Sequence, residues 1–305
     1  MSAPSVLYDA PGPKAKARNH GYTAAFIVVI GAIAWYVISE LLDSGQLDWP
    51  RWEPFVNGSG VWTAYILPGL QNTLIAAALA IVIALPLGAI LGIARLSQHL
   101  WIRAIAGTIV EFFRAVPVLI LMVFARVIYF EFTTLPEENL ALFSVVTGLV
   151  LYNASVLAEV FRAGILSLPK GQTEAASALG LRKTQLMTLI LLPQAITVML
   201  PAIVSQLVVT LKDTALGGAI LSFPDLLDSV GKITANFGSN VIASFVIIAA
   251  IYIMINSLLT WFAGWLERKL AKRKKAPKAK PIHIATETGA GASMDMGGGG
   301  DSGSD

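Results

Sequence analysis

Five long stretches of this chain contain no Asp, Glu, Lys or Arg: 19–39, 54–94, 139–158, 184–211 and 233–266. A helix needs about 20 mostly apolar residues to cross the hydrocarbon core of a bilayer, and each stretch reaches that length. A sixth apolar segment, Ile102 to Phe132, is interrupted in its body by Glu111, Arg114, Arg126 and Glu131. Lipid offers no water to stray backbone groups, so each crossing must be helical. The expected fold is therefore an all-α integral membrane protein with six transmembrane helices, near 22–42, 66–95, 112–132, 141–161, 190–212 and 241–264. Charged residues make up only 13% of the chain, against about a quarter in soluble domains. Pro86, Pro117 and Pro201 lie at or inside these spans, where prolines kink helices.

Basic residues set the orientation. Lys14, Lys16 and Arg18 precede the first span, and Arg95 and Arg103 follow the second. Arg162, Lys170, Arg182 and Lys183 follow the fourth, and a run from Arg268 to Lys280 follows the sixth. All fall on one side of six crossings, which puts both termini in the cytoplasm of a plasma-membrane protein. The first span is read as an uncleaved anchor, because its apolar run is long and no small-residue cleavage pattern follows Glu40. Trp49, Trp52, Trp62, Trp261 and Trp265 suit interfacial belts. Beyond Lys280 the chain is Gly-rich, ends GGGGDSGSD, and lacks the apolar content to fold.

Several chemistries are excluded. With no cysteine there is no disulfide, thiolate site or cysteine nucleophile. His20, His99 and His283 lie apart, so no metal site is expected. No basic stripe interleaved with aromatics suggests nucleic acid. The phosphate-binding pattern G-x-x-x-x-G-K-[ST] is absent, since Gly231-Lys232 lacks both the earlier glycine and the following hydroxyl.

The segment from Leu168 to Ala195, between spans four and five, is the most informative. Glu174, Ala175, Ala176, Ala178 and Leu179 favour helix. Pro169 suits a helix start and Gly180 a stop. A second helical run follows from Leu181 to Leu192, ending at Pro193. The expected shape is a short helix, a sharp turn at Gly180, and a helix leading back into the membrane. Such an elbow can transmit a push.

Here the chain resembles a known family. Glu174-Ala175-Ala176, three residues, Gly180, nine residues, then Ile190-Leu191-Leu192-Pro193 is similar to the EAA loop of ABC importer permeases. Phe113-Arg114-Ala115-Val116-Pro117 resembles that family's F-R-G-T-P motif, with Ala and Val in place of Gly and Thr. Tyr152, Ala154, Glu159, Arg162, Gly164 and Ile165 match a second motif, with Ala163 replacing a usual glycine. Pro193-Gln194-Ala195, Leu200-Pro201 and Lys212-Asp213-Thr214-Ala215-Leu216 match a third, with Thr197 where relatives often carry Arg. The resemblance covers roughly residues 62–266 and points to polar amino-acid permeases; SQLVVTLKDTALG is similar to glutamate permeases of Gram-positive bacteria.

The resemblance implies a five-helix permease core, 66–266, with a cytoplasmic coupling loop at 162–189. Around it lie a tail at 1–21, an added helix at 22–42, an extracellular loop at 43–65 and a cytoplasmic tail at 267–305. It implies that Glu174, Ala175, Ala176, Gly180 and Leu181 contact a separate ATPase subunit, Glu174 through a basic group. It further implies a second permease subunit and an extracellular substrate-binding protein. ATP and Mg would belong to the ATPase, with no cofactor in this chain.

Charges inside a bilayer are costly and mark functional sites. Arg126 admits two readings: a pathway arginine whose planar fork suits a carboxylate, or a partner of Glu131 or another acid near the outer interface. Glu111 with Arg114, and Glu159 with Arg162, share helix faces at spacing three and can pair as structural or gate-forming groups. Asn153, Lys212, Asp213 and Thr214 complete the pathway or gate candidates. A secondary transporter would show internal repeats and a carboxylate centred in a span, and this sequence shows neither. Nothing in the chain suggests a membrane enzyme.

Overall fold

A computed structural model describes residues 12–57, 60–238 and 240–273. No strand occurs among the described residues. The basic run beyond Arg273 and the Gly-rich segment lie outside them.

The first helix, α1 (Pro13–Asp43), begins within the segment read as a tail, and none of its residues is buried against the rest of the chain. A short helix, α2 (Trp49–Val56), lies in the segment read as a loop. A π-helical turn (Trp62–Ile66) runs directly into α3 (Leu67–Ala94). A second π turn (Leu186–Leu191) runs into α9 (Leu192–Asp213). Each turn ends two residues before a proline, Pro68 or Pro193. The proline ring displaces the carbonyl four residues back, and a wider turn absorbs the displacement. Pro86 and Pro201, by contrast, lie within unbroken helices.

The third crossing corrects the expectation of one kinked helix near 112–132. It is two helices, α4 (Leu100–Ala115) and α5 (Val118–Phe132), bent by 101° at Val116–Pro117. Pro117 forces the residue before it out of helical conformation, and Val116 is extended at φ −86°, ψ 129°. The 15 residues of α5 reach about 22 Å, short of the roughly 30 Å hydrocarbon core. Counting the bent pair once, six segments are long and apolar enough to cross.

The central pillar is α6 (Glu137–Leu166), whose most apolar window is 67% buried, against 22–28% for the windows of α3, α9 and α12 (Val241–Arg273). Helices approach α6 closely because small residues line the contacts. A Cβ on Gly88 of α3 would sit 2.7 Å from Leu157 Cβ and 2.9 Å from the Ala154 carbonyl. One on Gly148 of α6 would meet the Met122 backbone of α5 at 2.7 Å. In lipid this packing replaces the hydrophobic effect as the force joining helices.

Gly88→Val therefore overpacks the α3–α6 seam and should cost roughly 1–3 kcal/mol. Thermal unfolding of the purified protein in detergent checks this, with Gly31→Val as the neutral control, since a Cβ on Gly31 meets nothing within 4 Å.

Candidate functional site

Two features meet at the end of the bundle where α6 leaves the membrane, and a third lies further along α6. The first is the elbow. Pro169 starts α7 (Lys170–Ala178), and Gly180 stops it with φ +71°, a conformation that favours glycine. The Leu181 N–H donates to the Ala176 carbonyl at 3.1 Å and the Gly180 N–H to the Ser177 carbonyl at 3.0 Å, a Schellman stop. A three-residue helix, α8 (Lys183–Gln185), follows, its first turn fixed by the Arg182 N–H donating to Gln185 Oε1 at 2.9 Å. The sharp turn between two helices agrees with the sequence reading.

The elbow residues divide by face. Ala176 is buried, and with half-buried Leu181 it packs into a cluster containing Phe161 and Ile165 of α6, Leu186, and Met199 of α9. Glu174, Ala175, Ala178 and Gly180 are exposed, and Leu179 is 80% exposed. One face thus anchors the elbow to α6 and α9, and the other offers small residues, a carboxylate and an uncovered leucine. Lys183 Nζ donates to the Leu96 carbonyl at 3.2 Å, tying the elbow to the α3–α4 turn.

The second feature is a five-charge hub. Glu159 Oε2 accepts from Arg162 Nε at 2.9 Å. Glu159 Oε1 pairs with Arg95 and lies 3.5 Å from Arg114 Nη1. Glu111 Oε1 lies 3.0 Å from Arg95 Nη2 and 3.7 Å from Arg114 Nη1. Both spacing-three pairs form as expected, and Arg95 bridges them. Because Glu111 meets the residue that caps α3, the far part of α4 stays level with the α3 terminus instead of rising through the bundle.

The third is a buried polar network between α6 and α9. Asn153 donates to the Leu149 carbonyl at 2.8 Å and accepts from Gln206 Nε2 at 2.6 Å and Thr210 Oγ1 at 2.9 Å. Toward the opposite end, Lys212 is exposed, Asp213 half-buried, and Thr214 buried with its hydroxyl on the Leu211 carbonyl at 2.8 Å. Arg126 stands apart from both groups. Its Nη1 donates to the Leu221 carbonyl at 3.3 Å, the last of α10 (Ala215–Leu221). Among the described ion pairs none joins Arg126 to Glu131 or another acid.

Sequence reasoning missed Arg95 as a hub member, and Gln206 and Thr210 altogether. In the sequence Arg95 bears only on orientation. Gln206 carries a signal, an amide inside a charge-free apolar run.

A bundle with intramembrane polar contacts and an anchored elbow projecting from one end suits a membrane transport subunit. The chain belongs to the inner membrane components of binding-protein-dependent transport systems, whose family model matches residues 84–272. It is 46% identical over 230 residues to the glutamate transport system permease protein GluD of Corynebacterium glutamicum, covering 75% of this chain and 83% of that one. The glutamate/aspartate import permease protein GltK of Escherichia coli O157:H7 is 30% identical, covering 68% and 94%. A solved amino acid ABC transporter chain superposes with a TM-score of 0.62 at 28% identity, covering 68% and 95%. The protein is thus a multi-pass inner-membrane permease, and α1 lies outside the matched family region.

Glu159 and Glu111 differ in burial, with side chains 19% and 61% exposed. Glu159→Gln removes one of the two carboxylates on the 15%-exposed Arg95 side chain and the carboxylate on Arg162, and should cost roughly 1.5–3 kcal/mol. Glu111→Gln should cost less than about 1 kcal/mol. Thermal unfolding of the two purified variants compares them directly.

Proposed function

We propose that this permease passes an acidic amino acid, glutamate foremost, into the cell at the expense of ATP hydrolysed by a partner chain. The observation that carries the coupling half is the α7–Gly180 elbow, anchored on one face and open on the other. A separate ATPase subunit docks on the open face, with Glu174 meeting a basic group and Ala175 and Leu179 filling a groove. Ala176 and Leu181 act from beneath, fixing the elbow so that movement of the ATPase reaches α6 and α9. A second permease subunit, identical or homologous, and an extracellular substrate-binding protein complete the importer. The elbow end is cytoplasmic, as are both termini, because Lys14, Lys16, Arg18, Arg95, Arg103, Lys183 and Arg268 fall on that side.

The cargo reading rests on Arg126 and on the names of the relatives. Arg126 uses one guanidinium nitrogen on the Leu221 carbonyl and is half-exposed. Its remaining donors suit a side-chain carboxylate. Asn153, Gln206, Lys212, Asp213 and Thr214 are further candidates for contacts along the pathway.

Uptake of labelled glutamate in cells lacking and regaining this chain tests the cargo, with unlabelled amino acids as competitors. Competition by glutamate and aspartate alone is expected; competition by glutamine, arginine or histidine instead would discard the acidic cargo and keep the importer. Arg126→Ala should lower glutamate uptake at least about tenfold, equivalent to about 1.4 kcal/mol, in a complex that still assembles. Glu174→Arg should abolish ATP-driven uptake and release the ATPase on purification, while membrane insertion is unchanged.

A further inference from the structure

At the end of the bundle opposite the elbow, the turn between α10 and α11 (Asp228–Phe237) carries a carboxyl that none of the features above uses. Asp225 has no exposed surface. Its Oδ1 accepts from the Asp228 N–H at 2.8 Å, whereas Oδ2 is buried without a hydrogen-bond partner. The carboxyl lies so close over α10 that a Cβ on Gly218 would collide with it. The Tyr252 hydroxyl of α12 approaches it without closing a hydrogen bond, and also faces Thr73 of α3 and Thr214. Thr73 Oγ1 accepts from the Leu226 N–H at 3.0 Å, and Asn72 Nδ2 donates to the Pro224 carbonyl at 2.8 Å. The 222–227 turn is therefore stitched to α3, α10 and α12 around one acid, beside the Lys212-Asp213-Thr214 turn.

No described cation pairs with this acid. Lys232 is taken by Asp228 at 2.7 Å. Asp213 and exposed Lys212 immediately precede Thr214, Arg126 of α5 donates to the Leu221 carbonyl, and α3 presents Thr73 and Asn72. Burial, with a smaller push from the Asp228 charge, lifts the Asp225 carboxyl from the usual range to about 7, against the opposing pull of the N–H groups of Asp228 and Leu227. A folded value above the unfolded one means the closed turn is favoured at low pH and weakened as pH rises through about 7.

We propose that Asp225 is the positioning residue of an outer gate. While neutral, its carboxyl holds the 222–227 turn and Thr214 against α12. When it ionises, the proton leaves to external water and the turn lifts to hydrate the carboxylate. "Outer" rests on the importer reading, but opening itself can be followed without transport.

The chain has no cysteine, so Leu226→Cys places a single thiol at a fully buried position beside the acid. The permease–ATPase complex in right-side-out membranes is treated externally with a membrane-impermeant maleimide. The labelling rate is divided by that of the Leu226→Cys/Asp225→Asn double variant at the same pH, which cancels the titration of the thiol. This ratio should rise roughly tenfold between about pH 6 and about pH 8. A flat ratio, or labelling only from the elbow side, overturns the proposal. Should the Asn variant fail to assemble, Tyr252→Phe keeps the ring and removes the hydroxyl. Because that hydroxyl pulls the Asp225 carboxyl down, the variant's Leu226→Cys form should begin to label rapidly only at higher pH, and a profile unshifted from that of Leu226→Cys alone overturns the proposal. Absent ATP-driven uptake by the wild-type complex would remove the importer reading without touching the labelling ratio.

Discussion

Three helices converge on the Glu159 carboxylate, which accepts arginines from the end of α3, from α4 and from its own helix α6. In a low-dielectric bundle a charge must be paired or it drives the helices apart. Two carboxylates shared among three arginines satisfy that condition only if α3, α4 and α6 keep their present depths. The hub thereby fixes where α4 lies, and with it where α5 begins. The sharp break at Pro117 follows: a chain held down at Glu111 and Arg114 must turn abruptly to climb as α5.

The same end of the bundle also holds the elbow stiffly, through three kinds of contact. Ala176 and Leu181 pack on α6 and α9, Gly180 closes α7 without slack, and Lys183 reaches the α3–α4 turn one residue past Arg95. A displacement of α7 therefore arrives at α6, α9 and the hub together. The Asn153–Gln206–Thr210 network lies further along the same two helices, so α6 and α9 move as a joined pair or exchange those hydrogen bonds when they part.

What was legible in the sequence was what depends on local order. Charge-free runs gave the crossings, Gly180 and Pro169 gave the elbow, and spacing-three pairs gave the two halves of the hub. What was not legible depends on which helices are neighbours. Arg95 is sixteen residues from Glu111 and sixty-four from Glu159, and no periodicity links them. The two π turns needed the bundle to show where the chain must stay continuous past Pro68 and Pro193. Arg126 read as a charge seeking an acid or a substrate, yet its nearest satisfied contact is a helix-terminal carbonyl. Such a partner is invisible in sequence because every residue carries it.

The two ends of the molecule solve the same polar problem in opposite ways. At the elbow end the five charges of the hub are all paired. At the other end the buried polar atoms without partners accumulate: Asp225 Oδ2, Thr234 Oγ1, Ser244 Oγ, the Tyr252 hydroxyl and both amide atoms of Asn240. Each unsatisfied group costs on the order of 1–3 kcal/mol, so a region holding several is cheap to rearrange once water or ligand can reach it. A paired end resists deformation, and an unpaired end yields. Under the coupling proposed for the elbow, force applied at the stiff base would move whichever part of the bundle is held least.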